Sequence, residues 1–514
     1  MKLFDKVAIK RPKYSKFDLS HEKKFSTNMG KLTPIYLEEI IPGDHFKVNT
    51  EMLIRLAPMK FPVMHRMNAF IHYWFVPNRL VFNQWEDFIT GGDDGLAAPV
   101  FPYISMQDAS TRGANKGEIW DYFGLPPLST MPAEQKINAL PFRAYQLVWN
   151  EGYRDQNLAD KLGISKEPGI ETQANVTQNL TTRYRSWEHD YFTSCLPQAQ
   201  KGGEVLLPME ADINYSARSV FRSEGLVSSG NSNLEVNMDG VSQDGLLRMN
   251  SVPVQFGQIR NIDSIENATT TINDLRKAVR LQEWLEKSMR AGSRYAESIR
   301  AFFGIISSDA RLQRPEYLGG GMQPIIISEV LQTYEGTDPL GKMGGHGISV
   351  GSQNGFSRKF EEHGYVIGLM SILPKSSYYQ GIPKTFFKSN KFDFPFPEFA
   401  HLGEQEVLNK EVYYDATDTT NAWNELAFGY IPRYSEYKFH NSQVNGEFRD
   451  SMANWTMVRK FENRPALNEE FVEARDCSQD IFNVIDPNED KFFVNMYHSI
   501  SAIRALPYFG TPTL

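Results

Sequence analysis

The side chains that carry most enzyme chemistry are present in this sequence, but their spacing does not assemble them. The ten histidines are dispersed. His189-Asp190 and Glu362-His363 are adjacent pairs, not the i,i+4 pairs that put two metal ligands on one helical face. The neighbouring carboxylates Glu38-Glu39 and Glu361-Glu362 point to different sides of a strand or helix, so they make poor acid and base partners. Asp93-Asp94 lies between glycines and reads as a solvated turn. The chain holds no HExxH, no Walker A motif and no GxSxG. Gly319-Gly320-Gly321 lacks a following Lys-Ser/Thr and cradles no phosphate. The residues therefore predict no catalytic group, no metal site and no cofactor. A glycosidase needs two acids and no fixed motif. A β-rich carbohydrate-active enzyme, or a carbohydrate-binding surface protein, thus stays open as an alternative.

Cys195 and Cys477 are the only cysteines among 514 residues. They stand far apart with no CxxC near them, as two buried free thiols would in a reducing cytoplasm. The N-terminus lacks the apolar core of a signal peptide, and no apolar run reaches the length of a membrane span. No membrane insertion is expected. Charge is unevenly placed. Residues 1–24 carry eight lysines and arginines against three carboxylates, a net +5, while the whole chain is at −8. A basic arm on an acidic body is a common way to touch nucleic acid or an acidic partner. The acidic whole argues against a simple DNA-binding protein, which is usually basic.

The elements that must position these groups are more distinctive than the groups. Ala69–Val76 is aromatic and β-branched, apolar on both faces except at His72, and predicts a strand buried on both sides. Pro77 stops it. Val81, Phe82, Trp85, Phe88 and Ile89 then fall at helical spacing up to Gly91-Gly92. Arg79 between them faces either a neighbouring molecule or an intrachain carboxylate. His45–Asn49 alternates as a strand, after the turn signal Pro42-Gly43-Asp44. Residues 93–135 read as a long loop, and Leu140–Asn150 as a helix with Pro141 in its first turn. Thr271–Phe303 is helical, capped by Thr271 with Asp274, striped by Ala278, Leu281, Leu285 and Met289, and broken at Gly292. Residues 221–250 contain five Ser, four Gly and four Asn, so they can neither pack a core nor hold a helix. They read as a linker or an exposed insertion. Gly319–Gly321, Gly344-Gly345 and Gly351–Gly355 read as punctuation between short strands.

In order along the chain, several blocks resemble the major capsid protein of the Microviridae, the small icosahedral single-stranded DNA phages, in the gokushovirus-like branch. They are Phe17–His21 with Gly30–Pro34, Pro42-Gly43-Asp44, Trp74–Leu80, Leu140–Tyr145, Asp190–Ser194, Arg311–Gly320, Glu329–Thr333, Pro397–Phe399, Phe428–Tyr430 and the Pro512–Leu514 ending. Arg311–Gly320 is the most specific of them. The resemblance implies a mainly-β fold, an eight-stranded viral jelly roll of two packed antiparallel sheets with long insertions and a few helices. At about 5–6 residues per strand, the strands need only about 50 residues. It implies a basic arm over 1–24 and a single jelly-roll domain over 25–514, with a variable surface protrusion around 210–265.

The function so implied is self-assembly into a T=1 icosahedral shell around a circular single-stranded DNA genome, in a virion assembled in the cytoplasm of the host bacterium. Lys10, Arg11, Lys13 and Lys16 would neutralise phosphates and Tyr14 would stack on a base. In the protrusion, Leu226, Ser229, Asn231, Asn233, Asn237 and Asp239 would meet the host. The implied partners are further copies of the chain, the genome, a small basic DNA-packaging protein, an internal scaffolding protein, a pilot protein and a receptor on the bacterial surface.

Overall fold

Alternation decides the first sheet. In His45–Leu56, Phe46, Val48, Met52, Ile54 and Leu56 point to one side and are buried, while Lys47, Glu51 and Arg55 on the other side are exposed. That period of two is the signature of a strand with one wet face. The computed structural model describes residues 13–105, 109, 112–127, 135–203, 205, 212–223, 238–241, 247–249, 252–266, 271–331, 343–484, 486 and 489–509. The chain divides into two units, one of residues 1–199 with 288–514 and the other of residues 200–287.

The larger unit is built on nine strand segments. These are β1 (Ser15–Asp18), β2 (His21–Thr27), β3 (Thr33–Ile40), β4 (His45–Leu56), β5 (Met67–Pro77), β6 (Glu316–Leu331), β7 (Met343–Lys359), β8 (Gly364–Pro374) and β9 (Phe492–Arg504). β1 and β2 follow one another along one edge of β9, β9 pairs on its other edge with β4, and β4 pairs in turn with β7. This is the first sheet. The second runs β6, β5, β8, β3. β6 joins them, because Glu316–Ile325 pairs with β5 and Ile326–Leu331 with β7. Neighbouring strands are antiparallel throughout, and from β3 to β5 and from β6 to β9 the chain alternates between sheets. The expected mainly-β jelly roll is borne out. Its strands are longer than expected. β4, β6, β7 and β9 run 12–17 residues, because strands that curl from one sheet towards the other serve more than one pairing partner.

The sheets close on a core that includes Phe46, Ile54, Ile71, Tyr73, Met370 and Met496. Burying side chains of this size contributes about 1.5–3 kcal/mol each. The second sheet is covered on its other face too. All eleven residues of β8 are buried. Val76, Ile367 and Leu369 pack outwards on Phe142, Tyr145 and Trp149, in and just beyond the helix Leu140–Val148. Both-sided burial of Ala69–Val76 is thus as its composition predicts. Arg143 holds this helix down from within. It is buried, donates from Nε to Glu171 at 2.5 Å, and donates to the Val81 and Glu167 carbonyls at 2.9 and 2.8 Å. A third core, of Tyr191, Phe192, Tyr378, Val407, Phe428 and Phe471, joins the two long connections, 78–315 and 375–491.

Several expectations change. Residues 15–18 and 21–24 of the expected basic arm lie in strands β1 and β2 of the first sheet, and Leu19 and Phe25 pack against the sandwich core. The helix expected from Val81 begins only at Trp85 and ends at Thr90, where Gly91 takes φ +81°. Val81 and Phe82 instead follow a 3₁₀ turn and are buried. The Thr271 cap is present, with the Asp274 N–H donating to Thr271 Oγ1 at 3.1 Å, and the helix breaks at Gly292, φ +103°. Its apolar stripe is not a core face, however. Met289 is buried, but Leu281 is 49% exposed.

The glycine runs are not punctuation. Gly319–Gly321 lies inside β6, beside a bulge where the pairing with β5 shifts after Tyr317. A Cβ on Gly320 would lie well inside contact distance of the Ile71 carbonyl oxygen, so only glycine lets the two backbones approach. Gly344, Gly345, Gly351 and Gly355 all sit within β7.

In the smaller unit, Asp212–Ser223 and Val252–Glu266 form a long antiparallel pair with a bulge between Ile262 and Ser264. Leu247–Met249 and Met238–Val241 extend the sheet.

One buried polar group stands in the sandwich core. His498 shares a hydrogen bond with Thr50 Oγ1 at 2.8 Å, and Thr50 is bonded in turn to the Tyr73 hydroxyl. Burial, with the nearby His21 and Lys23 charges, pushes the His498 pKa down to about 4.

Two predictions follow from this packing. Gly320→Ala should cost about 1–3 kcal/mol, as overpacking does, and lower Tm, whereas Gly163→Ala, whose Cβ meets open space, should leave Tm unchanged. A histidine depressed to about 4 stays neutral in the folded chain but protonates near 6.5 when unfolded. Its contribution is therefore complete above pH 6.5 and is lost as pH falls towards 4. Tm measured across pH 4–7 should fall less steeply in His498→Asn than in the parent.

Candidate nucleic-acid interface

Among the described residues, one face of the first sheet alternates with the buried one and is largely exposed, and the ladder register says what stands there. At one end, Lys16 of β1 lies opposite Ile503 of β9, Ile503 opposite His45 of β4, and His45 opposite Lys359 of β7. The next row is Asp18, Ser501, Lys47 and Ser357. Lys16, Lys47 and Lys359 are exposed. Two tyrosines flank this end. Tyr14, 51% exposed, sits over the Pro42-Gly43-Asp44 turn, so close that a Cβ on Gly43 would meet its hydroxyl at 2.6 Å. Gly43 also has φ +93°, which glycine adopts without strain. Tyr508 packs its ring on Phe17 at 5.2 Å, and its hydroxyl donates to the Lys16 carbonyl. Mobile cations beside aromatic faces are the two components of sequence-tolerant single-strand binding.

Carboxylates dilute the charge. Asp18 accepts from the Ser20 N–H and hydroxyl, which hold its pKa below the usual range. Glu22 pairs with Lys24 at 2.8 Å. Further along, the same face turns apolar, with Phe493 and Val350 at 49% and 75% exposure.

Of the residues expected to meet DNA, Lys13, Tyr14 and Lys16 come together at the basic end and are exposed. Lys10 and Arg11 lie outside the described residues. Lys23, also counted in the basic arm, is not available. It donates to the Pro34 and Tyr122 carbonyls at 3.0 and 2.5 Å, and burial pushes its pKa down to about 8. His45, Lys47, Lys359 and Tyr508 were missed by the sequence reading. The alternation in His45–Leu56 carried a signal for Lys47, but its place beside Lys16 depends on β9, more than 400 residues away. Leu226, Ser229, Asn231, Asn233 and Asn237 lie outside the described residues. Asp239 falls in the strand Met238–Val241.

The groups first weighed for chemistry have structural roles. Asp190 is buried. It accepts from the Phe192 and Thr193 N–H groups and the Tyr378 hydroxyl at 2.9, 2.8 and 2.7 Å. Tyr378 accepts in turn from Arg459 at 3.1 Å, whose guanidinium also stacks 4.3 Å from the Phe471 ring centroid. Glu362 takes both arms of Arg79, at 2.6 and 3.1 Å, so Arg79 makes an intrachain pair. Asp94 accepts from the Leu96 N–H in a turn. Both cysteines are buried and free, and burial pushes the Cys477 thiol up to about 12. Among the described residues no group of three or more His, Cys, Asp or Glu is placed to hold a metal, and no helix is long and apolar enough to cross a membrane.

Comparison with known proteins agrees with this architecture. Residues 6–514 match the family Capsid protein (F protein). The chain is 33% identical to the capsid protein VP1 of Chlamydia phage 1, over 99% of this chain and 97% of that one. It is 35% identical to the capsid protein VP1 of Bdellovibrio phage phiMH2K, over 97% and 95%. It is 28% identical to the capsid protein VP1 of Spiroplasma virus 4, again over 97% and 95%. The expected likeness to gokushovirus-like Microviridae capsid proteins is thereby borne out, and the carbohydrate-active alternative falls away. A match along nearly every residue, on a jelly roll whose acids and histidines are spent on structure, leaves one conclusion: the chain belongs to the Capsid protein (F protein) family.

Proposed function

We propose that this capsid protein forms a T=1 icosahedral shell around a circular single-stranded DNA genome and turns the basic end of its first sheet towards that genome. The observation that carries the reading is the register itself, which sets Lys16, His45 and Lys359 side by side, with Lys47 in the next row. Lys13 and Tyr14 extend this end, and Lys10 and Arg11 precede them in sequence. Six lysines and arginines per chain cannot neutralise a genome when the whole chain is at −8. A small basic DNA-packaging protein is therefore part of the proposal. The family resemblance adds an internal scaffolding protein, a pilot protein and assembly in the host cytoplasm.

Shell contacts are assigned to the two long connections. They carry large apolar side chains left in water by the single chain, among them Phe303, Ile306 and Phe386 at 76%, 80% and 77% exposure. Side chains of this size, left exposed on an otherwise well-packed fold, mark surfaces that other copies cover. The smaller unit, with the insertion bearing Leu226, Ser229, Asn231, Asn233, Asn237 and Asp239, is assigned to host attachment. Its support is its Ser-, Gly- and Asn-rich composition and its separation from the sandwich as a unit of its own.

Two tests follow. Binding of a single-stranded oligodeoxynucleotide should weaken with salt, and Lys16→Gln and Lys47→Gln should each reduce the slope of log K against log salt by about 0.7. Particles lacking residues 1–14, which leaves β1 intact, should then hold less DNA. Unchanged slopes together with unchanged genome content would remove the interface. Replacing residues 224–250 with a short Gly/Ser turn should preserve particles but cut adsorption to the host severalfold or more. Normal adsorption by such particles would remove the attachment role.

A further inference from the structure

The connection between β5 and β6 contains a cavity of about 450 Å³ whose lining is rich in cations. Arg154, Arg294, Arg314 and Lys161 line it, and Glu151 is the one carboxylate among the lining residues. Each guanidinium is fixed by at least one hydrogen bond. Arg154 donates to the Ala159 carbonyl at 2.6 Å. Arg294 donates to the Asn150 and Arg154 carbonyls at 2.8 and 3.1 Å and to Glu297 at 3.2 Å. Arg314 is held by Asp309 at 2.6 Å. What remains is a surplus of donors. The Nε atoms of Arg154 and Arg294 are buried without a hydrogen-bond partner. The Glu151 carboxylate stands 3.6 Å from both Arg294 Nε and Lys161 Nζ, which is ion-pair range but not a hydrogen bond.

Two further facts bear on the charge at the site, where Glu297 and Asp309 already pair with Arg294 and Arg314. Burial and the charge of Arg294 together weaken the hold of Arg154 on its proton. The helix Tyr295–Phe303 also begins here, with Tyr295 and Ala296 on the lining. The Ser293 and Arg294 N–H groups ahead of it are taken by Gln156 Oε1 at 2.7 and 2.9 Å, which fixes the helix start in place. A helix start adds about half a positive charge and favours anions. Leaving buried donors unpaired costs about 1–3 kcal/mol each. A tetrahedral oxyanion in the cavity would instead meet the Lys161 ammonium and the guanidinium nitrogens of the lining that these bonds leave over, and forked guanidinium groups match its geometry.

We infer that this cavity is a binding site for a phosphate-class oxyanion, supplied either as free phosphate or as a phosphodiester of single-stranded DNA. It shares no lining residue with the basic end of the first sheet and does not depend on the genome-contact reading.

The test uses the full-length protein, with inorganic phosphate as the probe, titrated calorimetrically at constant ionic strength in chloride. Phosphate should bind the parent. Lys161→Gln and Arg314→Gln should each weaken it about tenfold, the loss of one charge-assisted contact. Arg280→Gln, on a helix outside the cavity, should bind as the parent does. Lys161 is largely exposed and, among the described residues, is paired only at long range with Glu151, so its replacement tests the site even if Arg314→Gln fails to fold. An oligodeoxynucleotide without terminal phosphates then separates the sources. Competition with phosphate assigns the site to DNA backbone, and lack of competition assigns it to the free anion, and both support the cavity. No phosphate binding by the parent, or equal binding by Lys161→Gln, would overturn it.

Discussion

The rest of the molecule depends on an asymmetry of burial. Both sheets of the jelly roll give one face to the common core. The second sheet also buries its other face, under the helix Leu140–Val148 and its neighbours. The first sheet keeps its other face open. A sheet buried on both faces must be largely apolar, as β8 and β5 are, whereas a sheet with one wet face alternates. The chain thus spends its densest hydrophobic sequence on the second sheet. The first sheet is left free to carry lysines and tyrosines without destabilising the fold. Surface lysines contribute little to stability, so their placement is open to selection for binding.

How much of this was legible in the sequence follows from the same asymmetry. Ala69–Val76 announced itself because both-sided burial leaves no polar residue to confuse the pattern. His72 is the exception that fits. It shares a 2.8 Å hydrogen bond with the Tyr153 hydroxyl, and burial pushes its pKa down to about 4. Thr271–Phe303 was legible in its cap and its break, since both depend on adjacent residues. Whether its stripe was covered depends on the rest of the fold, and there the pattern misled. Gly319–Gly321 misled for the opposite reason. Glycine usually marks a turn, yet in β6 it lets backbones meet, and only the position of Ile71 reveals that. The strands at 15–18 and 21–27 were hidden because they are polar, with Lys16, Lys23 and Lys24 among eleven residues. Their pairing with β9 involves residues at the far end of the chain.

The candidate interface was half legible. Lys13, Tyr14 and Lys16 stood out as a basic, aromatic stretch, but their companions Lys47, Lys359 and Tyr508 come from three other regions. The anion cavity was not legible at all, because its four cations lie at 154, 161, 294 and 314 and meet only when the long connection folds. The carboxylates and histidines that suggested chemistry turned out to be fasteners. Asp190 closes a turn and anchors Tyr378, Glu362 clamps Arg79, and Glu38 pairs with Arg504. A capsid protein needs such fasteners more than it needs a catalytic site, since long connections must be ordered before they can meet neighbours.

The central claim is that the sandwich is a closed scaffold and the two long connections make the shell. A cryo-electron microscopy reconstruction of particles built from this chain tests it most directly. The account predicts a closed icosahedral shell in which Phe303, Ile306 and Phe386 are covered by neighbouring copies. A chain that stays a monodisperse monomer under all conditions would contradict it, as would a shell that leaves those side chains in solvent.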